Sequence, residues 1–184
     1  MKTKNSNLEG VAFILLAMLI LSLQNIAVKW ISGDYPVLEI VIVRSIVALP
    51  FTLLFFRYEG HRGLPTTTRP KLEYLRGTFL FLSYTTYFMG LAALPLAEVA
   101  SIRYSAPLVI TFLSVVLLGE KVGLNRWFAL AIGFTGVLFI VRPGSASFDV
   151  GSIFVIIGTL FYTFSVMTTR YLRTTDSSAT MGYY

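Results

Sequence analysis

Six apolar stretches of about membrane-spanning length dominate this 184-residue chain. An α-helix rises about 1.5 Å per residue and the hydrocarbon core of a bilayer is about 30 Å thick, so a span needs about 20 mostly apolar residues. Because lipid cannot hydrogen-bond exposed peptide groups, the stretches predict an all-α polytopic membrane protein with six transmembrane helices. The predicted spans are Val11–Ile31, Val37–Phe56, Tyr74–Leu94, Ala97–Leu118, Trp127–Val141 and Val150–Thr169.

The composition agrees with a membrane protein and not with an ordinary soluble domain. Hydrophobic residues make up 55% and charged residues 13% of the chain, with a mean hydropathy of +0.74, whereas soluble domains carry about 25% charged residues. The formal net charge of +6 comes from basic residues scattered between the apolar spans, so no nucleic-acid partner is predicted. The predicted partner is the lipid bilayer.

Few residues are available for catalysis or metal binding. The chain has no cysteine and one histidine, His61, which lies in a polar loop between spans. The spans contain no serine–histidine pair of the kind that hydrolases need, and the chain has no glycine-rich phosphate-binding loop with its lysine. The sequence therefore predicts a protein that is not an enzyme and has no metal site or cofactor. Transport driven by a gradient fits these residues better.

The distribution of basic residues predicts the orientation. With a cytoplasmic N-terminus, eleven of the fifteen lysines and arginines lie on or near the cytoplasmic side. The other four are Lys29, Arg44, Arg103 and Arg142. Basic residues near span ends favour the cytoplasmic side, so the chain is predicted to be a multi-pass protein with its N-terminus inside.

The sixth span resembles a second copy of the first. When 151–173 is aligned with 10–32, Gly151 falls on Gly10 and Arg170 on Lys29. Five spans separate the starts of the two copies, and an odd number reverses the direction in which the second copy crosses the membrane. This is the pattern of an inverted-repeat transporter.

Arg44 lies about eight residues into the second span, where an ionisable side chain costs about 2.5–3.5 kcal/mol on insertion scales. Glu39 is five residues away, about 140° around the helix axis, so the two are poorly placed to pair. We expect Arg44 to reach another helix. There it either hydrogen-bonds protein groups and fixes the packing, or contacts a substrate or its anionic group.

The external half of the fourth span carries a polar face. Glu98, Ser101 and Ser105 have the spacing of one helix face, while Arg103 and Tyr104 point elsewhere. Such a face is expected to be turned towards protein or a water-filled cavity. Burial would disfavour the charged form of Glu98, and this makes it a candidate for proton coupling.

The alternative for Glu98 is a carboxylate near the external surface that the helix dipole favours. Glu39 is the second proton-coupling candidate. Pro107 interrupts the hydrogen-bond ladder of the fourth span, which predicts a kink or a hinge.

Polar side chains on the first and third spans have two interpretations. Asn25 on the first span and Tyr84 and Tyr87 on the third either hydrogen-bond between helices, for about 1 kcal/mol or less each, or line a pocket. Lys29, at the end of the first span, is expected to extend to the lipid headgroups. The candidate cavity residues are Asn25, Arg44, Tyr84, Tyr87, Glu98, Ser101 and Arg103.

The stretch 90–144 resembles the second half of an EamA repeat of the drug/metabolite transporter (DMT) superfamily. The matching features are the Leu94–Ala97 turn, Pro107, the Leu117–Glu120 segment, and the helix that ends in Arg142, Pro143 and Gly144. Lys29 and the segment around Arg44 also resemble that family. The resemblance covers residues 9–142 as one five-helix repeat, with 150–184 as the first helix and start of a second, inverted repeat.

The resemblance implies a secondary transporter of the bacterial inner membrane that moves small metabolites or drugs by alternating access. Such transporters have ten helices in two inverted repeats around a central cavity. With six helices, the chain is expected to be C-terminally truncated or to pair with a second copy or another chain. A non-transporting membrane scaffold or receptor is the alternative.

Overall fold

The computed structural model describes residues 3–58, 66–119, 123–141 and 149–184. Within these ranges the chain forms eight helices and no strand. Several residues used above lie outside the described ranges, among them His61, Glu120 and Arg142–Gly144. The helices are α1 Thr3–Ile31, α2 Val37–Tyr58, α3 Pro70–Ala93, α4 Leu96–Arg103, α5 Ala106–Leu118, α6 Leu124–Val141, α7 Val150–Leu172 and α8 Ser178–Tyr183.

Among the described residues, four segments are long and apolar enough to cross a membrane: Gly10–Ile31, Val37–Tyr58, Leu96–Val116 and Val150–Leu172. Leu124–Phe139 is a shorter apolar helix. The predicted third span corresponds to α3, which does not reach this standard and begins with charged residues at positions 71, 73 and 76. The described part of the chain is thus all-helical and the protein is a multi-pass membrane protein, while the count of six spans stays a prediction.

The centre of the structure is the antiparallel pair α3 and α7. Small residues let the two backbones approach closely: a Cβ on Gly158 would lie 3.0 Å from the carbonyl oxygen of Ser83, and Gly90 lies against Val155. Phe88 is fully buried beside this contact. The small residues on both helices therefore place the polar and aromatic side chains of α3 directly against α7.

Asp149 caps the start of α7: its side chain accepts a hydrogen bond of 2.6 Å from the backbone N–H of Gly151. This cap satisfies one of the backbone donors that a helix start leaves unpaired. A Cβ on Gly151 would lie 2.9 Å from the side chains of Ala93 and Leu94. The start of α7 is therefore packed against the end of α3.

Lys29 does not extend to the headgroups, so the expectation from the sequence is wrong. Its Nζ donates hydrogen bonds of 3.0 Å to the carbonyl oxygen of Ala92 and 2.7 Å to that of Leu94. The last carbonyls of a helix lack partners within the helix, and a lysine beside them is stabilised by the helix dipole. The end of α1 is thereby fastened to the end of α3.

We expect Lys29→Met to lower the apparent melting temperature in detergent by about 3–10 °C. The change removes two hydrogen bonds from a charged donor, each contributing about 1.5–3 kcal/mol at most. Lys71→Met is the matched control, since Lys71 is exposed at the start of α3. Melting is monitored by circular dichroism. Equal melting temperatures for the two variants would show that the hydrogen bonds between α1 and α3 contribute nothing to stability.

The predicted fourth span is two helices in the structure. α4 ends at Arg103, α5 begins at Ala106, and Tyr104 and Ser105 form the turn between them. Pro107 has no N–H to donate to the carbonyl of Arg103, and its ring would clash with that carbonyl in a continuous helix. The interruption therefore falls just before the proline, and Arg103 becomes the last residue of α4.

Candidate functional site

Two arginines on different helices are connected by aromatic rings of α3, and the second arginine also contacts a ring of α7. The set, which we name the cation–aromatic array, consists of Arg44, Tyr84, Phe88, Tyr87, Arg103 and Tyr162. Each member lies within ring-contact distance of the next. Four of the six were candidate cavity residues from the sequence. The array crosses the bundle from α2 through α3 to α4 and α7.

Arg44 forms one end of the array. It is half-buried, and its Cζ lies 4.1 Å from the centroid of the Tyr84 ring and 5.8 Å from that of Phe88. A guanidinium over an aromatic face gains about 0.5–2 kcal/mol. Within the described ranges, its guanidinium has no hydrogen bond or ion pair. Arg44 thus reaches another helix but contacts rings there instead of carbonyl or carboxylate groups.

Arg103 lies near the other end of the array, between Tyr87 and Tyr162, and also forms a hydrogen bond with α7. Its Cζ lies 4.1 Å from the Tyr162 ring centroid and 5.1 Å from that of Tyr87. Its Nη1 donates a hydrogen bond of 3.3 Å to the carbonyl oxygen of Gly158, which also accepts one of 2.7 Å from Ser83 Oγ. Arg103 therefore joins α4 to the α3–α7 contact.

Glu98 and Arg103 were placed on different sides of the fourth span, yet both contact α7. Ser152 Oγ donates to Glu98 Oε1 at 3.4 Å, in the first turn of α7, and Arg103 reaches Gly158 nearly two turns further along. Two residues with the spacing of different helix faces thus contact the same helix at different heights, because the arginine side chain is long.

The structure does not bring the other candidates into the array. Ser101 Oγ donates to the carbonyl of Ala97 in its own helix, which is a common outcome for a serine in a helix. Asn25 is half-buried on α1, and Glu39 is exposed in the first turn of α2.

A cavity of about 420 Å³ adjoins the Arg44 end of the array. Its walls are formed by residues of α2 between positions 41 and 52, by residues of α3 between positions 76 and 84, and by residues 181–184 in and after α8. Arg44 and Tyr84 belong both to the array and to the cavity wall. The array and the cavity together are the candidate functional site.

A buried ion pair next to this cavity was missed from the sequence. Arg76 Nε donates to Glu73 Oε2 at 2.9 Å, and the two residues are 6% and 0% exposed. Arg76 Nη2 also donates to the carbonyl of Met181, while Glu73 Oε1 has no partner in the described part of the chain. Arg76 is one of the eleven basic residues that the orientation places on the cytoplasmic side, and its i, i+3 spacing from an opposite charge was a signal for this pair.

Comparison with known proteins gives consistent relatives. The S-adenosylmethionine uptake transporter of Rickettsia prowazekii (strain Madrid E) is 25% identical over 181 residues, which cover 96% of this chain and 60% of the relative. The pseudopaline exporter CntI of Pseudomonas aeruginosa (strain UCBPP-PA14) is 28% identical over 85% of this chain and 54% of the relative. The riboflavin transporter of Rhizobium johnstonii (strain DSM 114642 / LMG 32736 / 3841) is 27% identical over 89% of this chain and 54% of the relative.

The chain spans about 60% or less of the length of these curated relatives. No solved structure matches it significantly. The model of the EamA-like transporter family matches residues 8–142, which is most of the chain and nearly the segment 9–142 that the resemblance delimited. The chain therefore belongs to the EamA-like transporter family.

Proposed function

We propose that this protein acts as a secondary carrier of small metabolites or drugs by alternating access across the bacterial inner membrane, with its N-terminus in the cytoplasm. The observation that carries the proposal is the cation–aromatic array beside the cavity. Charged side chains are expensive inside a membrane and mark substrate pathways when they face a bundle interior. Here two arginines, Arg44 and Arg103, contact different members of one connected set of rings.

The directions of the helices support an inverted arrangement. Lys29 binds the end of α1 to the C-terminal end of α3, and Gly151 packs the start of α7 against that same end of α3. Hence α1 and α7, the two resembling segments, run in opposite directions, as inverted repeats require. A complete inverted pair needs a second group of five helices, which a longer chain or a second copy of this one would supply.

The break in the fourth span supports a moving part. The turn at Tyr104–Ser105 separates α4 from α5 directly after Arg103. Rotation at this turn would move Arg103 relative to α7, so we propose the segment before Pro107 as a hinge. Glu98, which accepts a hydrogen bond from Ser152, and Glu39 stay the proposed proton-coupling residues.

Flux measurements in proteoliposomes test the carrier directly. The panel of compounds includes S-adenosylmethionine and riboflavin, the substrates in the names of two relatives. We expect at least one compound of the panel to cross the membrane of proteoliposomes faster than that of liposomes without protein. Amino acids, nucleoside-like metabolites and a cationic drug complete the panel. Both directions are measured, because one relative is named for uptake and another for export.

Variants separate a carrier from a membrane scaffold. Arg103→Gln is expected to reduce flux at least tenfold while purified protein stays helical and monodisperse, because the array loses one cation. Arg126→Gln, at the exposed start of α6, should keep wild-type flux. Absence of flux above the lipid background for every compound, in both directions and with or without a proton gradient, would count against the carrier.

A further inference from the structure

The cavity between α2, α3 and α8 has two arginine side chains on its wall. Among the described residues that line it, Arg44 and Arg76 carry the charged side chains, and none is an aspartate or a glutamate. Arg76 is already paired with Glu73. The guanidinium of Arg44 touches rings but makes no hydrogen bond or ion pair with any described residue.

Aromatic rings satisfy only part of what a guanidinium needs. A ring face attracts the charge, yet it offers no oxygen lone pair to the five N–H donors of an arginine. Arg44 is half-buried and lines the cavity, so its N–H donors are accessible from the cavity. A ligand that supplies two acceptor oxygens would pair with these donors, since a carboxylate matches the guanidinium in a bidentate pair.

The other residues that line the cavity indicate what the part of the ligand outside its carboxylate is like. Leu80, Phe81, Val41 and Leu49 present apolar side chains around the same cavity. An apolar wall with few placed polar groups is the usual composition of a small-molecule site. One unpaired arginine balances one negative charge, which favours a carboxylate over a doubly charged phosphate.

We infer that this cavity binds substrates with a carboxylate group on an apolar body, the carboxylate pairing with Arg44 beside Tyr84. The inference rests on the proposed carrier function, because it names the chemical class of the substrate. Arg44 is then a specificity-determining residue: it distinguishes an acid from the corresponding amide or amine.

Equilibrium binding tests the inference without requiring transport. The chain is reconstituted in lipid nanodiscs and titrated with dansylglycine, its uncharged amide and a dansyl-diamine cation, with dansyl fluorescence as the readout. We expect saturable binding of dansylglycine about tenfold or more tighter than that of the amide, since a charge-assisted pair contributes on that scale. The cation should bind more weakly than the amide.

Arginine variants locate the effect. Arg44→Gln should reduce the preference for the acid over the amide to less than about threefold, while Arg44→Lys, which keeps the charge, should retain part of it. Arg57→Gln is the matched control, because Arg57 lies exposed on the same helix outside the cavity wall. Helicity and monodispersity of each variant are checked in the same nanodiscs.

The outcomes separate this inference from the carrier function. Equal binding of acid, amide and cation, an unchanged preference in both Arg44 variants, or no saturable binding of any probe overturns the carboxylate site, whatever the flux results. Discrimination that depends on Arg44 supports the site even if no compound crosses the proteoliposome membrane. In that case the carrier function fails and the binding site stands.

Discussion

Arg76→Leu is expected to lower the free energy of unfolding by about 3–5 kcal/mol, the cost of leaving a buried charge without its partner. The change would leave both carboxylate oxygens of Glu73 unpaired, because Oε1 already has no partner in the described part of the chain. It also removes the hydrogen bond to the carbonyl of Met181 and so weakens the contact between α3 and α8. Circular dichroism during denaturation in mixed micelles measures the effect.

The double variant Glu73→Leu/Arg76→Leu tests whether the loss comes from the unpaired charge of Glu73. Replacing a whole buried pair with apolar side chains is often neutral or stabilising, so the double variant should recover most of the loss. Arg126→Leu, at an exposed position, controls for loss of an arginine. A single variant that unfolds like wild type, or a double variant that is less stable than Arg76→Leu, would contradict the buried pair.

The second prediction concerns Gly158, which lies at the contact between α3 and α7. A Cβ there would lie 2.9 Å from Thr86 Oγ1 and 3.0 Å from both the Ser83 carbonyl oxygen and the Tyr87 backbone nitrogen. The two backbone atoms cannot yield without moving α3. We expect Gly158→Ala to cost about 1–3 kcal/mol, as overpacking does, and Gly158→Leu to abolish recovery of monodisperse protein.

Gly136→Ala is the control with the opposite expectation. Beyond the backbone of its own helix, no described residue places an atom within 4 Å of a Cβ at Gly136. Alanine is favoured over glycine inside a helix by about 0.8–1 kcal/mol. Gly136→Ala should therefore be neutral or stabilising, although the chemical change is the same. Equal shifts in melting temperature for the two alanine variants would show that α3 and α7 do not pack as closely as described.

Helix ends could be predicted where the chain marks them locally. The start of α2 at Val37 follows Pro36, and the start of α7 at Val150 follows the capping Asp149, so both agree with the predicted spans. The start of α3 at Pro70 lies four residues before the predicted one, since Lys71 and Glu73 make its first turn look like a loop when judged by hydropathy. A proline suits the first turn of a helix and was the signal available there.

The candidate site was predicted in part. Arg44, Arg103, Tyr84 and Tyr87 stand out because polar or charged groups are unusual in an apolar span. Phe88 and Tyr162 do not, since an aromatic residue in a span can equally face lipid. Their places in the cation–aromatic array depend on how α3 and α7 are rotated.

The sequence by itself determined the membrane class, the positions of most helices and the family, because hydropathy, capping residues and short motifs are local properties of the chain. Only the tertiary structure decided that Lys29 binds the end of α3, that Glu73 and Arg76 are buried, and that Arg44 is left facing a cavity. These outcomes depend on helix rotation and on contacts between distant segments. Close packing of small residues between α3 and α7 determines the helix rotation and these contacts. This packing depends on two segments together, so neither segment alone encodes it.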